Sequence, residues 1–95
     1  MSAGKRPVAL VTGAGQGLGL ASAVRLASIG FDIVAADLAT DISGAVGAIE
    51  ATGGAVKALN VDIADVEALP AAVDEAWAAF GAIDCLVNNA GLAMR

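Results

Sequence analysis

The chain has 95 residues, 58% of them hydrophobic and 16% charged, with ten acidic against five basic side chains and a formal charge of −5. It has one Cys, no His and no Tyr, which rules out a His/Cys zinc site, a Ser-His or Cys-His nucleophilic pair and tyrosine acid-base chemistry within these residues. The length allows one small domain, and the acidic balance argues against a nucleic-acid surface, which needs clustered Lys/Arg to neutralise phosphates. The expected partner is a small molecule or a protein. Cys85 alone cannot build a disulfide framework, so a reducing, cytoplasmic setting is expected.

Lys5-Arg6 followed by an uncharged stretch from Pro7 to Val24 imitates a signal peptide, down to Ala21-Ser22-Ala23. Four glycines and Gln16 interrupt its apolar core, whereas secretory and membrane-spanning segments need an unbroken apolar helix. No membrane association is expected. A buried strand followed by a glycine turn explains the same residues.

Val8-Ala9-Leu10-Val11 is a continuous apolar run closed by Thr12-Gly13, the pattern of a strand buried on both faces. From Leu18 the spacing predicts a helix with Leu20, Val24 and Ala27 on one face and Gly30 as its stop. Phe31 to Ala36 reads as a second strand ending on Asp37. Asp41 is placed to cap a helix through about Thr52, with Ile42, Ala45, Val46 and Ile49 inward and Gly53-Gly54 ending it. Ala55 to Val61 reads as a third strand, ending at Asp62.

Asp65 opens the next helical region, in which Leu69, Val73, Trp77 and Phe80 recur at helical spacing and are expected to face a core. Pro70 belongs in a first turn or at a break, because an interior proline costs about 3 kcal/mol. Gly81 stops this helix, and Ile83 to Val87 forms a fourth strand, burying Cys85, that runs into Asn88-Asn89-Ala90-Gly91. Strands alternating with helices imply an α/β fold: a Rossmann-like parallel sheet with helices on both faces, joined by right-handed crossovers, of which these residues form the first four βα units. No linker or second domain is indicated within residues 1–95.

The segment Thr12-Gly13-Ala14-Gly15-Gln16-Gly17-Leu18-Gly19 lies where a strand gives way to a helix. A phosphate there meets unpaired backbone N–H groups and the positive end of the helix dipole. A Walker A loop needs a Gly-Lys-Ser/Thr ending, and no lysine occurs between Lys5 and Lys57. The common G-x-G-x-x-G spacing fails as well, since Leu18 or Leu20 takes the third glycine position. What fits is T-G-x-x-x-G-x-G on Thr12, Gly13, Gly17 and Gly19. A methyltransferase would share the glycine turn, but an acidic residue would be expected near its first strand, and Pro7 to Thr12 has none.

Asp37 lies 18 positions after Gly19, near the interval of about 20 residues at which a carboxylate accepts hydrogen bonds from an adenosine ribose. It would repel a 2′-phosphate, and neither Gln16 nor Leu38 supplies a compensating cation, so NAD is the expected cofactor rather than NADP. Asp62 is a candidate for the adenine amino group with Ile63 flanking the ring, or else a loop-capping carboxylate. Asn88 and Asn89 either line the same crevice or hold neighbouring strands together; both roles are open to them.

These strand-end features together resemble the short-chain dehydrogenase/reductase family, and the resemblance covers essentially the whole chain. The residues that carry it are Thr12-Gly13-x-x-x-Gly17-x-Gly19, Asp37, Asp62-Ile63 and Gly81-x-Ile83-Asp84-x-Leu86-Val87-Asn88-Asn89-Ala90-Gly91. Within the family the chain looks most like the 3-oxoacyl-[acyl-carrier-protein] reductase branch. The resemblance implies that the backbone of Gly13, Gly15, Gln16, Gly17, Leu18 and Gly19 takes the pyrophosphate side of NAD. It likewise implies that Asp37 takes the adenosine ribose, with Leu38 beside it among the cofactor-binding candidates, that Asp62 and Ile63 take the adenine, and that Asn89, Ala90 and Gly91 lie along the cofactor. Gln16 occupies a position that is often basic in NADP-dependent members, which strengthens the expectation of NAD.

The family's catalytic Ser and Tyr-x-x-x-Lys lie beyond a fourth strand, so the resemblance implies that residues 1–95 form the N-terminal, cofactor-binding half of a longer enzyme. That enzyme would interconvert a small-molecule carbonyl and alcohol, whereas these residues alone would be inactive. No serine among Ser2, Ser22, Ser28 and Ser43 stands where the family's catalytic one does, and Cys85 is read as a strand residue and not a reactive thiol. Two other readings are a stand-alone nucleotide-binding or interaction module without catalysis and, third, an S-adenosylmethionine-dependent methyltransferase. A fourth strand with an open side also predicts association, most simply as a homo-oligomer.

Overall fold

A computed structural model describes residues 6–89. In chain order the elements are β1 (Val8–Thr12), α1 (Gly17–Ser28), β2 (Asp32–Asp37), α2 (Ser43–Glu50), β3 (Val56–Asn60), α3 (Leu69–Phe80) and β4 (Cys85–Val87). The strands form one parallel sheet in the order β3-β2-β1-β4. The order turns back on itself at β1, because β2 and β3 step away on one side and β4 pairs on the other. Registers run Val8 with Asp32 through Thr12 with Ala36, Ile33 with Val56 through Asp37 with Asn60, and Ala9 with Cys85 through Val11 with Val87.

The period of two along the central strands sorts their side chains onto two layers. Ala9, Val11, Ile33 and Ala35 pack with Ala23 and Ala27 of α1 and Ile49 of α2, while Val8, Val34, Ala36 and Leu59 pack with Ala76 of α3. Helices therefore cover both faces, as expected of crossovers that step first one way and then the other. Alanines at the contacts let the helix backbones approach the sheet closely.

Helix α2 buries Ala45 and Ile49, with Ile42 and Val46 half-buried, as its spacing predicts. Its end is not capped by Asp41 in the standard position. Ile42 is the N-cap residue and makes no side-chain cap, while Asp41 Oδ1 accepts the Ser43 N–H at 3.0 Å from one residue further out.

Helix α3 departs from expectation in two ways. It begins at Leu69, with Pro70 in its first turn, because residues 62–68 form turns around the side chains of Asp62 and Asp65. It is also rotated: Ala72, Ala76, Ala79 and Phe80 meet the sheet, whereas Val73 and Trp77 are 49% and 52% exposed. Two apolar stripes run along this helix, and the narrower alanine stripe seats it closer to Val34 and Ala36, so close packing overrides side-chain size. Strand β4 is shorter than expected, and Cys85 is half-buried rather than enclosed, because among the described residues β4 pairs with β1 alone.

The amino ends of the strands are held by charge. Arg6 Nε lies 2.9 Å from Asp32 Oδ1, its Nη2 donates to the carbonyls of Phe31 and Ala27 near the end of α1, and Asp32 Oδ1 also accepts the Ala55 N–H. Asp84 does the same for β4, accepting the Val8 N–H at 2.9 Å.

Candidate functional site

At the carboxyl ends of the strands the loops of β1, β2, β3 and β4 converge. In open α/β sheets ligands bind on this side, where the strand order reverses. After Thr12, Gly13 and Gly17 adopt φ of 65° and 59°, values that a Cβ penalises, and the chain turns directly into α1. Gln16 occupies the N-cap with no side-chain hydrogen bond, and no acidic residue stands in the first turn. The positive end of α1 thus carries no side-chain cap, and a Cβ added at Gly17 would meet nothing within 4 Å.

Gly19 is needed for another reason. It is buried in the first turn of α1, and a Cβ there would run into the Gly13 carbonyl and come within 3.0 Å of Asn89 Nδ2. The helix can lie this close to the loop only without a side chain.

The carboxylate of Asp37, at the tip of β2, accepts the Gly15 N–H at Oδ2 (2.7 Å) and the Ala39 N–H at Oδ1 (2.9 Å). These contacts tie the glycine loop to the strand end that sequence spacing assigned to the ribose. Each oxygen keeps a second lone pair for an incoming hydroxyl. Asn88 and Asn89 lie against the same floor. Thr12 Oγ1 stands 3.2 Å from Asn88 Oδ1 and 3.4 Å from the Val87 carbonyl, and it accepts the Asn89 N–H at 2.9 Å. Asn88 thus links the strand ends through its side chain, although it is exposed, while Asn89 does so through its backbone N–H.

Asp62 Oδ1 accepts the Ala64 N–H at 2.9 Å and its carbonyl accepts the Asp65 N–H, so its carboxylate shapes its own turn while remaining exposed. Leu38 and Asp62 border one groove of about 330 Å³ beside Asn60. Ile63 lines an adjoining apolar cavity of about 320 Å³ with Leu10, Thr12, Leu59, Val61 and Leu86. Gln16 and Leu18 project outward, Leu18 being 77% exposed. Ala90 and Gly91 lie outside the described residues.

Asn60 was missed by sequence reasoning. Its Nδ2 reaches the carbonyls of Leu38 (2.9 Å), Ala39 (3.1 Å) and Asp37 (3.3 Å), which sets the path of the chain as it leaves β2. The available signal was an amide side chain ending a strand, two residues before Asp62. Asp41, nearby at the start of α2, has its carboxyl held below the usual range by the Ser43 N–H and then by the Ser43 hydroxyl. Among the described residues no group of three or more His, Cys, Asp or Glu side chains is arranged to hold a metal ion, and no helix is long and apolar enough to cross a membrane.

A glycine turn running into an uncapped helix N-terminus, with an acidic residue at the neighbouring strand tip, defines a dinucleotide-binding type of α/β protein. Comparison with known proteins narrows the class: residues 7–95 match the short chain dehydrogenase model, and the chain belongs to that family. It is 44% identical over 86 residues to the short-chain reductase protein NovJ of Streptomyces niveus, covering 90% of this chain and 33% of NovJ. The structure of a 3-oxoacyl-[acyl-carrier protein] reductase from Brucella melitensis in complex with NAD superposes with a TM-score of 0.87 at 41% identity, covering 96% of this chain and 39% of that one. A short chain dehydrogenase from Mycobacterium paratuberculosis bound to NAD gives 0.82 at 38% identity, covering 92% and 37%. The chain spans about a third of the length of the curated relatives it matches.

Proposed function

We propose that residues 1–95 are the NAD-binding half of a Rossmann-like domain in an oxidoreductase that interconverts a small-molecule carbonyl and alcohol. The observation that carries this reading is the Asp37 carboxylate bound to the Gly15 N–H at 2.7 Å, beside an uncapped α1 N-terminus. The residues fit the cofactor: an N-terminal dipole and a loop open at Gly17 suit a pyrophosphate, and a carboxylate with lone pairs to spare suits a ribose diol. Asp37 accepts from the ribose hydroxyls, and Asp62 with Ile63 and Leu38 borders the adenine. Asn89 lies along the cofactor, a role that the family resemblance extends to Ala90 and Gly91. The bound nicotinamide would supply or take up the hydride.

In the family the group that polarises the carbonyl and transfers its proton is a tyrosine, and none occurs in these residues, so that group would come from outside them and the chain by itself would be inactive. Among the described residues one side of β4 is unpaired and Leu86 is 62% exposed, which supports burial in a larger assembly such as a homo-oligomer. A reducing cytoplasm suits the free Cys85. Titration of the chain with NADH and NADPH, followed by nicotinamide fluorescence, tests the cofactor assignment. NADH is expected to bind at least about tenfold more tightly, the loss expected when a phosphate dianion faces a carboxylate. Absence of NADH binding, or tighter NADPH binding, overturns it, and binding of S-adenosylmethionine instead would favour methyl transfer.

A further inference from the structure

We infer that Gly15 and Asp37 form one specificity unit, in which Gly15 acts as a positioning residue by leaving the space that the carboxylate fills. The inference rests on the cofactor reading above and deepens it. The backbone φ of Gly15 is not among the positive values of this chain, so the position does not need glycine for its conformation. It needs glycine for room. A Cβ at position 15 would stand 2.7 Å from Asp37 Oδ2, 3.1 Å from Asp37 Cγ and 2.8 Å from Ile42 Cγ2.

Asp37 cannot retreat as a body. Its backbone is paired in register with Asn60, and its carbonyl accepts the Val61 N–H at 3.0 Å and the Asn60 amide at 3.3 Å. Ile42 on the other side is packed against the core under α1 and α2. Two side chains must give way: the Ile42 methyl by a small shift in its half-buried packing, and the carboxylate, which is the far end of a flexible side chain, by rotating away from the Gly15 N–H. Any side chain at 15 therefore evicts the negative charge from the place where it meets a ribose and opposes a 2′-phosphate. Selectivity between the two cofactors is set by two positions 22 residues apart, one of which contributes no side-chain atom at all.

The test is a double-mutant cycle in the full chain with Gly15→Ala, Asp37→Asn and the pair, reading dissociation constants for NADH and NADPH alongside thermal melts. Gly15→Ala is expected to weaken NADH by roughly tenfold, the usual worth of a lost charge-assisted contact, while NADPH changes far less. Added to Asp37→Asn it should cost no more than about twofold, since the two act through one contact. Equal weakening of both cofactors, or additive effects, would overturn the inference. A wild-type chain that binds neither cofactor overturns the cofactor reading instead. In that case, or if Gly15→Ala fails to fold, amide exchange decides: Gly15 N–H should be protected in the wild type and exchange about tenfold faster in Asp37→Asn, and equal rates would sink the pairing.

Discussion

The backbone N–H of Asn89 reaches the side-chain oxygen of Thr12 at 2.9 Å, joining the ends of β4 and β1 across 77 residues of sequence. Thr12 is 7% exposed, and its hydroxyl also faces Asn88 Oδ1 and the Val87 carbonyl. One hydroxyl thus links the end of the strand that begins the glycine loop to the end of the edge strand, at the floor of the candidate site.

Thr12→Val keeps the shape and removes the acceptor. With the Asn89 N–H left unpaired in a partly buried position, the chain should lose about 1–3 kcal/mol of stability. A urea unfolding midpoint unchanged from wild type would contradict this.

Glycine substitutions should separate by sign according to position. Gly19→Ala forces a Cβ against the Gly13 carbonyl, a backbone atom that cannot swing aside, so a loss of about 1–3 kcal/mol or more is expected, with dinucleotide binding abolished. Gly47→Ala lies in α2 with nothing within 4 Å and an ordinary φ, and should raise stability by about 0.5–1 kcal/mol through helix propensity and a restricted unfolded chain. Thermal melts of the two variants would read both signs.

Trp77 reports the rotation of α3. Because it is half exposed, Trp77→Ala should cost well under the 3–5 kcal/mol typical of a buried aromatic, about 1.5 kcal/mol at most. The emission of this single tryptophan should be that of a partly hydrated indole. A blue-shifted spectrum from the isolated monomer would mean that α3 presents its larger stripe to the sheet after all.

Asp41 gives stability a pH dependence of known sign. Its carboxyl is held below the ordinary value of 3.8, foremost by the Ser43 N–H, so the folded state prefers the charged form. The contribution is complete above that ordinary value and is lost as pH falls through the lowered folded value. Asp41→Asn should therefore unfold at lower urea than wild type at neutral pH, and the gap should close in acid. A gap that stays constant from neutral pH into acid would remove Asp41 from the account.

Much of the fold was legible in the sequence because it is locally written. The apolar run before Thr12, the glycines from Gly13 to Gly19 and the stop at Gly81 each act within a turn or two, and Pro70 marks a first turn by its missing N–H. The position of Asp37 after the glycine loop follows from the length of a βαβ unit. By itself, then, the sequence determined the order of elements, the glycine turn and the acidic strand tip.

Tertiary structure alone decided what depends on atoms brought together from distant positions. On α3 the alanine stripe won over Val73 and Trp77 because distance to the sheet, invisible in a helical period, sets how much contact a side chain makes. Asn60 became the organiser of the turn after β2 only once β3 lay beside it. Gly15 read in the sequence as one more glycine of the phosphate-facing turn, and packing put the Asp37 carboxylate in the space its missing Cβ leaves open. A pattern along the chain encodes which backbone conformations are cheap, whereas space and hydrogen-bond partners at the strand ends exist only when the sheet is assembled.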